Sequence, residues 1–282
     1  TTISDTGSIT TTGNGARGIA NYNFDDKGDE LSSDSNETTV SGSITTAEAG
    51  AYGIYNYGKK NITTVSGAGS IETVENDANG IYNLGDGNAT TVSGSIATGD
   101  VDANTGNGAV GIFNLGSGNI TTVSGTGSIE TEGKEAHGVF ISGSKNTTTL
   151  LGSIETAGDS ANGIWNQGKD NTTTISGNIT ASGAEGFGLL NEGNGNKTTV
   201  SGNIKTSGKQ SMGLANEGNK NTAKISGSIV TTGNSSFGIF QSDGTNTTTI
   251  SGTVSATGSD ANALINYSGS GSSFTLNEGA VI

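Results

Sequence analysis

The sequence predicts an all-β fold, a β-solenoid of roughly ten to eleven rungs, and three observations support this prediction. Apolar residues recur at a period of about 25 residues along almost the whole chain. Each repeat holds three short runs rich in Thr, Ile and Val, separated by Gly, Asn or Ser. The chain has 49 glycines and no proline, so no strand loses a backbone N–H to proline. We therefore expect one solenoid over residues 1–282, with three short strands per rung.

Three series of apolar residues define the repeat. The first follows a glycine or its equivalent at Ile19, Ile54, Ile81, Ile112, Val139, Ile164, Leu189, Leu214, Ile239 and Leu264. The second is the apolar residue of TT(V/I)SG, at Ile3, Val40, Val65, Val92, Val123, Leu150, Ile175, Val200, Ile225, Ile250 and Leu276. The third belongs to GSIxT, at Ile9, Ile44, Ile71, Ile96, Ile129, Ile154, Ile179, Ile204, Ile229, Val254 and Val281. Stacked at about 4.8 Å, the three series form a thin core of apolar ladders.

Asparagine recurs in two further rows that we expect to form structural ladders. The first row stands two residues after the first apolar series, at Asn21, Asn56, Asn83, Asn114, Asn166, Asn191, Asn216 and Asn266. The second row stands four residues before the second series, at Asn36, Asn61, Asn88, Asn119, Asn146, Asn171, Asn196, Asn221 and Asn246. Because strand residues two or four apart share a face, both rows point inward or into a turn. Stacked amides can donate to and accept from one another, and we favour such ladders over N-linked glycans at the N-x-T sequences.

A row of large apolar residues lies between the first apolar series and the first asparagine row. Its larger members, here called the apolar stripe, are Tyr55, Tyr82, Phe113, Phe140, Trp165, Leu190, Phe240 and Ile265. Alternation along a strand places this row on the outer surface, where a contiguous apolar area marks an interface. The alternative is a bulge that shifts the row into the core. Variation in size along the row favours the interface.

Composition restricts the range of partners and functions. Twelve basic residues against 26 acidic ones give a net charge of −14, which argues against nucleic acids and anionic membrane surfaces. No apolar run is long enough to span a membrane, and there is no cysteine for disulfide or thiolate chemistry. The chain starts at Thr1 without a signal sequence, from which we expect an excised part of a longer protein.

Departures from the 25-residue period place insertions at residues 22–36 and 99–108. Loops of this kind protrude from one edge of a solenoid. Acidic residues in them offer a weak calcium site, at Asp25, Asp26, Asp29, Asp100 and Asp102. Their spacing matches neither the EF-hand loop nor a GGxGxD repeat, so solvated acidic loops are the favoured interpretation, and no cofactor is expected.

Two outward-facing sets of residues suggest alternative functions. Thr and Ser pairs such as Thr64 with Ser66 and Thr174 with Ser176 resemble the T-x-T arrays of ice-binding solenoids, interrupted at Leu151 and Lys224. Carboxylates share an outward slot on nearby rungs, as in the polysaccharide-active β-helix enzymes. They are Glu72, Glu130 and Glu155. The single Arg17 and the single His137 occupy no repeated slot with these carboxylates, so a non-catalytic function is expected.

The tandem pattern GxIxTxGxxAxGIxNxGxxNTTTxSGSI resembles the passenger domains of bacterial autotransporters and related large secreted adhesins. This resemblance covers essentially the whole chain and includes the final segment SSFTLNEGAVI. It implies a right-handed parallel β-helix, an extracellular or bacterial cell-surface location, and a role in adhesion or matrix. The expected partner is a cell-surface or matrix ligand, or further copies of the chain. Because both ends begin and stop within a rung, end-to-end stacking into fibres is a further expectation.

Overall fold

The computed structural model describes residues 1–25, 27–99, 106–267 and 271–282. In these ranges the chain forms 32 β-strands and no helix, and the strands belong to three sheets. Each rung passes in turn through sheet 1, which holds the TT(V/I)SG strands, sheet 2, which holds the GSIxT strands, and sheet 3, which holds the Gly-Ile strands. The predicted β-solenoid, a parallel β-helix with three strands per rung of about 25 residues, is confirmed.

Apart from the hairpin strands β3 and β4, neighbouring strands in each sheet come from successive rungs. Sheet 1 contains β1 (Thr2–Ile3), β5 (Glu37–Val40), β8 (Ile62–Val65), β11 (Ala89–Val92), β14 (Ile120–Val123), β17 (Thr147–Leu150), β20 (Thr172–Ile175), β23 (Lys197–Val200), β26 (Thr222–Ile225), β29 (Thr247–Ile250) and β32 (Ser273–Leu276). Sheet 2 contains β2 (Ser8–Thr11), β6 (Ser43–Thr46), β9 (Ser70–Thr73), β12 (Ser95–Thr98), β15 (Ser128–Thr131), β18 (Ser153–Thr156), β21 (Asn178–Ala181), β24 (Asn203–Thr206), β27 (Ser228–Thr231) and β30 (Thr253–Ala256). Sheet 3 contains β3 (Arg17–Phe24), β4 (Glu30–Ser32), β7 (Tyr52–Tyr57), β10 (Ile81–Leu84), β13 (Ile112–Leu115), β16 (Val139–Ser142), β19 (Ile164–Gln167), β22 (Phe187–Glu192), β25 (Met212–Glu217), β28 (Phe237–Ser242) and β31 (Asn262–Asn266).

The register between strands stacks equivalent residues of the repeat. Val65 pairs with Val92 in sheet 1, Ile129 pairs with Ile154 in sheet 2, and Ile81 pairs with Ile112 in sheet 3. From the second rung to the penultimate one, the members of the three apolar series are at most 1% exposed and form one continuous core. Few large residues are needed because a rung has only one such position in each strand.

The first predicted insertion, residues 22–36, contains a hairpin. Strand β3 extends beyond its rung, and β4 returns antiparallel to it, with Tyr22 opposite Ser32. The chain rejoins the solenoid when the backbone N–H of Ser33 donates to the carbonyl of Tyr57 at 2.7 Å. Within the second predicted insertion, 99–108, positions 100–105 lie outside the described residues.

Glycine precedes the inward residue of sheet 3 for a steric reason. A Cβ added at Gly163 would collide with the Ile179 side chain and would lie 2.6 Å from the Gly188 carbonyl oxygen. The equivalent glycine on each of the neighbouring rungs meets the same two kinds of atoms. Close packing of sheet 3 on the apolar ladder of sheet 2 therefore requires a residue without a side chain.

Candidate binding groove on sheet 3

The apolar stripe lies on the outer side of sheet 3. In β10 the flanking Ile81 and Asn83 are buried, whereas Tyr82 is partly exposed, as the predicted alternation requires. The rings form a continuous stack between rungs, with centroid distances of 5.6 Å for Tyr55–Tyr82, 4.8 Å for Tyr82–Phe113, 4.7 Å for Phe113–Phe140 and 4.8 Å for Phe140–Trp165. The stripe is thus a row of mutually packed side chains, in which aromatic pairs add to the stability of the stack.

Some members of the stripe face outward but are largely covered. Tyr55, Phe140 and Leu190 are only 8%, 9% and 7% exposed. Stacking between rungs removes part of each ring from water, and a second row of side chains covers another part. The remaining members are partly exposed: Tyr82, Phe113, Trp165, Phe240 and Ile265.

The second row consists of the residue that directly precedes the glycine in each Gly-Ile pair. Its large members beside the stripe are Tyr52, His137, Phe187, Met212 and Phe237. Sequence analysis missed this row because Phe187 stands two residues before the buried Leu189, and strict alternation would place both inward. The intervening Gly188 is skipped in the register with β25, where Phe187 pairs with Met212 and Leu189 with Leu214. The signal in the sequence was the large residue that stands directly before the glycine in several of the repeats.

An open groove of about 610 Å³, hereafter the sheet 3 groove, runs along these two rows. Its apolar lining comes from Trp165, Phe187, Leu190, Met212 and Phe237. One rim is polar and consists of Glu135, Ser160, Glu185, Gln210 and Ser235. These rim residues occupy equivalent turns on five successive rungs and share a left-handed backbone with φ between 54° and 59°. The groove therefore lies parallel to the rod axis and crosses the strands.

His137 forms the end wall of the sheet 3 groove. Its Nδ1 accepts a hydrogen bond of 3.0 Å from the backbone N–H of Asn162, and its ring lies edge-on to Trp165 at 4.9 Å. Burial lowers the pKa of His137 to about 4, although the nearby Glu135 carboxylate opposes this shift. The imidazole is therefore neutral at pH 7, and the groove holds no positive charge at this point.

Carboxylates also line the opposite side of the stripe. The indole Nε1 of Trp165 donates to Oε2 of Glu192 at 3.1 Å, which fixes the orientation of the ring. Glu217 stands next to Glu192 in the register, and its pKa is raised, first by burial and then by the charges of Glu192 and Asp243. The apolar floor thus lies between two rows that carry negative charge.

At the first rungs the chain covers its own stripe. The Arg17 guanidinium lies over the rings of Tyr55 and Tyr22, at 4.1 Å and 4.9 Å from their centroids, and forms a 2.7 Å ion pair with Glu30 of the hairpin. This cluster buries Tyr55, and burial raises the pKa of Tyr55 to about 12, with the Glu30 charge adding to the shift and the Arg17 charge opposing it. The hairpin therefore acts as a cover for one end of the stripe.

The first asparagine row forms an amide ladder inside sheet 3. Asn56 Nδ2 donates to Asn83 Oδ1 at 2.7 Å, and Asn83 donates to Asn114 in the same way. The amide also donates to the threonine seven residues further on at Asn56, Asn83, Asn114, Asn166 and Asn191, as from Asn56 to Thr63 at 3.0 Å. A second segment links Asn166, Asn191 and Asn216 at 2.8 Å per step. These amides are at most 1% exposed, so the row stabilises the interior.

Among the described residues, the second asparagine row has the expected amide-to-amide hydrogen bond only from Asn36 Nδ2 to Asn61 Oδ1, at 2.9 Å. From Asn61 onward, each Oδ1 accepts from the backbone N–H of the asparagine on the preceding rung, as from Asn146 to Asn171 at 2.8 Å and from Asn171 to Asn196 at 2.9 Å. Asn171 Nδ2 donates to the carbonyl of Gly143 at 3.1 Å. Lying at the corner after a turn, this row satisfies backbone groups that strand pairing leaves free. The members Asn61, Asn88, Asn119, Asn146, Asn171, Asn196, Asn221 and Asn246 are at most 2% exposed.

The outward Thr rows lie on sheet 1, and the outward carboxylates lie on sheet 2. On sheet 1 the serines follow the strand end, and the outward pairs are instead T-x-T at Thr147 with Thr149, Thr172 with Thr174, and Thr247 with Thr249. Lys197 and Lys224 separate these pairs. On sheet 2, Glu130 and Glu155 are exposed neighbours in the register, and Glu72 and Glu130 line a pocket of about 260 Å³ on either side of Ala97.

Only Asp25 and Asp29 of the candidate calcium ligands lie within the described residues. Asp25 Oδ1 accepts from the backbone N–H groups of Lys27 and Asp29 at 2.9 Å, which closes the hairpin turn. Asp26, Asp100 and Asp102 lie outside the described residues. In the part of the chain that the structure describes, no three His, Cys, Asp or Glu side chains form a group that could hold a metal ion.

The same residues include no helix long and apolar enough to cross a membrane.

The fold and the ladders define the class of protein: the chain is a β-solenoid repeat protein. No protein-family model, curated protein or solved structure matches it.

Proposed function

We propose that this protein is a non-catalytic structural or adhesive rod of the extracellular space or bacterial cell surface, similar in role to autotransporter passengers and other large secreted adhesins. The rod contacts its partner through sheet 3. The observation that carries this proposal is the sheet 3 groove, about 610 Å³ of largely apolar volume on a chain with a net charge of −14. Apolar surface of this extent beside polar rims is typical of an interaction site.

The rest of the rod supports this role by its rigidity. Ladders of Ile and Val, hydrogen-bonded amides and continuous parallel sheets hold the groove side chains in fixed positions between rungs. A preformed site of this kind binds with a smaller loss of conformational entropy than a mobile loop does. End-to-end stacking of rods into fibres stays a prediction.

The experiment replaces three groove side chains together: Trp165→Ser, Phe187→Ser and Phe237→Ser. Purified rods are applied to immobilised extracellular macromolecules, such as collagen, fibronectin, mucin and the rod itself, and retention is measured. We expect the variant to lose at least tenfold in retention on the best-binding surface, because aromatic anchors contribute about 1–4 kcal/mol each at interfaces. Circular dichroism establishes that the variant remains folded.

A matched control removes as many apolar side chains at sheet 1, two from its strands and Leu151 directly after the end of β17. The variant with Ile62→Ser, Ile120→Ser and Leu151→Ser replaces residues that are 48%, 51% and 48% exposed and lie away from the groove. We expect this control to retain binding. Equal losses in the two variants, or unchanged retention of the folded groove variant, would contradict the proposal, as would wild-type rods that bind no surface of the panel.

A further inference from the structure

The shape of the sheet 3 groove limits what can fill it. The rim residues Glu135, Ser160, Glu185, Gln210 and Ser235 come from five successive rungs, so the groove extends over four rung intervals. At about 4.8 Å per interval, its length is roughly 19 Å. An extended peptide of six residues, at about 3.3 Å per residue, has nearly the same length. The groove is open along the whole rim, so a chain can pass through it.

The charge of the surroundings limits the partner further. Glu135 and Glu185 stand on one rim, and Glu192 and Glu217 lie on the other side of the stripe. Two exposed lysines, Lys134 and Lys209, directly precede the rim residues Glu135 and Gln210, and Lys134 Nζ lies 3.4 Å from Glu135 Oε1. Two copies of a rod with a net charge of −14 would bring like charges together in this groove, so a second copy is disfavoured. A basic partner complements these charges.

The chain itself contains an example of such an interaction. At the first rung Arg17 occupies the row position of Phe187 and Met212, and its guanidinium lies 4.1 Å over the centroid of the Tyr55 ring while it pairs with the Glu30 carboxylate. The stripe thus already holds an arginine between an aromatic ring and a carboxylate. The sheet 3 groove presents the same elements, rings and carboxylates, without an arginine of its own among its lining residues. Cation–π contacts of this kind contribute more when the cation is shielded from water.

We propose that the sheet 3 groove binds an extended basic segment of a partner protein. Arginine or lysine side chains of that segment lie over Trp165 and Phe187 and pair with Glu135 and Glu185, and its apolar side chains pack on Leu190 and Met212. The inference rests on the proposed function and specifies the chemistry of the partner at the same site.

Trp165 is the only tryptophan of the chain, so its fluorescence reports on the groove alone. The probe is the blocked hexapeptide acetyl-Leu-Arg-Leu-Arg-Leu-Arg-amide, and the comparison probes are the equivalent Leu-Glu peptide and the neutral oligosaccharide cellohexaose. Isothermal titration calorimetry measures the same binding independently of any fluorescence change. We expect saturable binding of the basic peptide, at least tenfold tighter than either comparison probe, and weakened at 300 mM salt.

Substitutions locate this binding at the groove. The double variant Glu135→Gln and Glu185→Gln keeps the shape of the rim and removes two charges, and we expect it to raise the Kd of the basic peptide about five- to tenfold. The control Glu130→Gln and Glu155→Gln removes the same charge from sheet 2, and we expect less than a twofold change. Equal effects of the two double variants would overturn the proposal, because they would indicate only long-range attraction.

Two further results would overturn the inference. One is the absence of saturable binding of the basic peptide in both measurements, and the other is tighter binding of cellohexaose or of the acidic peptide. Neither result touches the proposed function if the Trp165, Phe187 and Phe237 variant still loses retention on its surface. Conversely, unchanged retention in that folded variant refutes the proposed function whatever the peptide does.

Discussion

Ile141 interrupts the amide ladder of sheet 3 and leaves two buried polar atoms without a partner. Its position is the one that Asn114 and Asn166 hold on the rungs before and after it. Asn166 Oδ1 and Thr148 Oγ1, the atoms that an asparagine here would contact, have no hydrogen bond. A buried unsatisfied group costs about 1–3 kcal/mol, so this rung is stabilised by apolar packing at the expense of hydrogen bonds.

Replacing Ile141 by Asn should therefore be tolerated. Ile141→Asn loses about 1.5–3 kcal/mol of apolar burial but provides partners for Asn166 and Thr148, so we expect the free energy of unfolding to change by less than about 1 kcal/mol. Urea unfolding of the purified variant measures this quantity. The matched control Ile154→Asn, at a buried site with no amide neighbours, should cost at least about 3 kcal/mol. Similar losses in the two variants would show that the ladder contributes nothing.

His137 makes the stability of the rod dependent on pH. The unfolded imidazole binds a proton near its ordinary pKa of 6.5, whereas the folded one resists protonation until about pH 4. The folded pKa is depressed, so the His137 contribution is fully present above pH 6.5 and is lost as pH falls towards 4. Between pH 7.5 and 5 this loss is about 2 kcal/mol.

His137→Asn is the variant that isolates this effect. On the next rung an asparagine makes the hydrogen bond that His137 makes on its own rung, because Asn162 Oδ1 accepts from the backbone N–H of Phe187 at 2.9 Å. The variant should therefore keep the hydrogen bond and lose the titration. We expect the wild type to lose about 2 kcal/mol more than the variant between pH 7.5 and 5 in urea unfolding. Parallel pH profiles would mean that folding does not lower the pKa of His137.

At the scale of single residues, the repeat made the inward positions predictable. Each inward Ile or Val of the apolar series recurs at a fixed offset, and an amide that stacks on its own copy can only be Asn or Gln. The partners of those amides were less predictable, because whether Asn171 meets a backbone N–H or another amide depends on the turn geometry at the corner. The environment of His137, the only histidine, could not be read from a repeat.

At the scale of strands, alternation predicted sheets 1 and 2 well and failed at one place in sheet 3. The residue before the glycine, such as Phe187, does not follow the two-residue alternation. Gly188 lies so close to the carbonyl of Gly213 that no side chain fits at this position. That departure turns Phe187, Met212 and Phe237 outward and creates the wall of the groove. Sequence analysis therefore identified the floor of the site, through Trp165 and Leu190, and missed its wall.

The hairpin at residues 22–36 is the second element that the period alone could not place. Its sequence indicated an acidic insertion, but the ion pair of Arg17 with Glu30 brings the hairpin over Tyr55. Because these two residues are 13 positions apart in the sequence, only the three-dimensional structure shows that the stripe is covered at one end and open at the other.

At the scale of the whole molecule, the rod presents three faces of different chemistry. Sheet 1 is rich in threonine with lysines between, sheet 2 carries the exposed Glu72, Glu130 and Glu155, and sheet 3 carries the groove. A fold with one strand type on each face separates these surfaces by its geometry, so each can be blocked without altering the others. The central claim is that only the sheet 3 face makes the functional contact.

Blocking each face in turn tests this claim most directly. The chain has no cysteine, so Met212→Cys, Thr174→Cys and Glu155→Cys each provide a single attachment point for a maleimide polymer, on sheets 3, 1 and 2 respectively. Retention of the labelled rods is measured on the surface that the wild type binds best, with unlabelled variants as controls. We expect the label at position 212 to reduce retention at least tenfold and the other two labels to change it less than twofold. Full retention with the label at 212, or loss with the label at 174 or 155, would contradict the account.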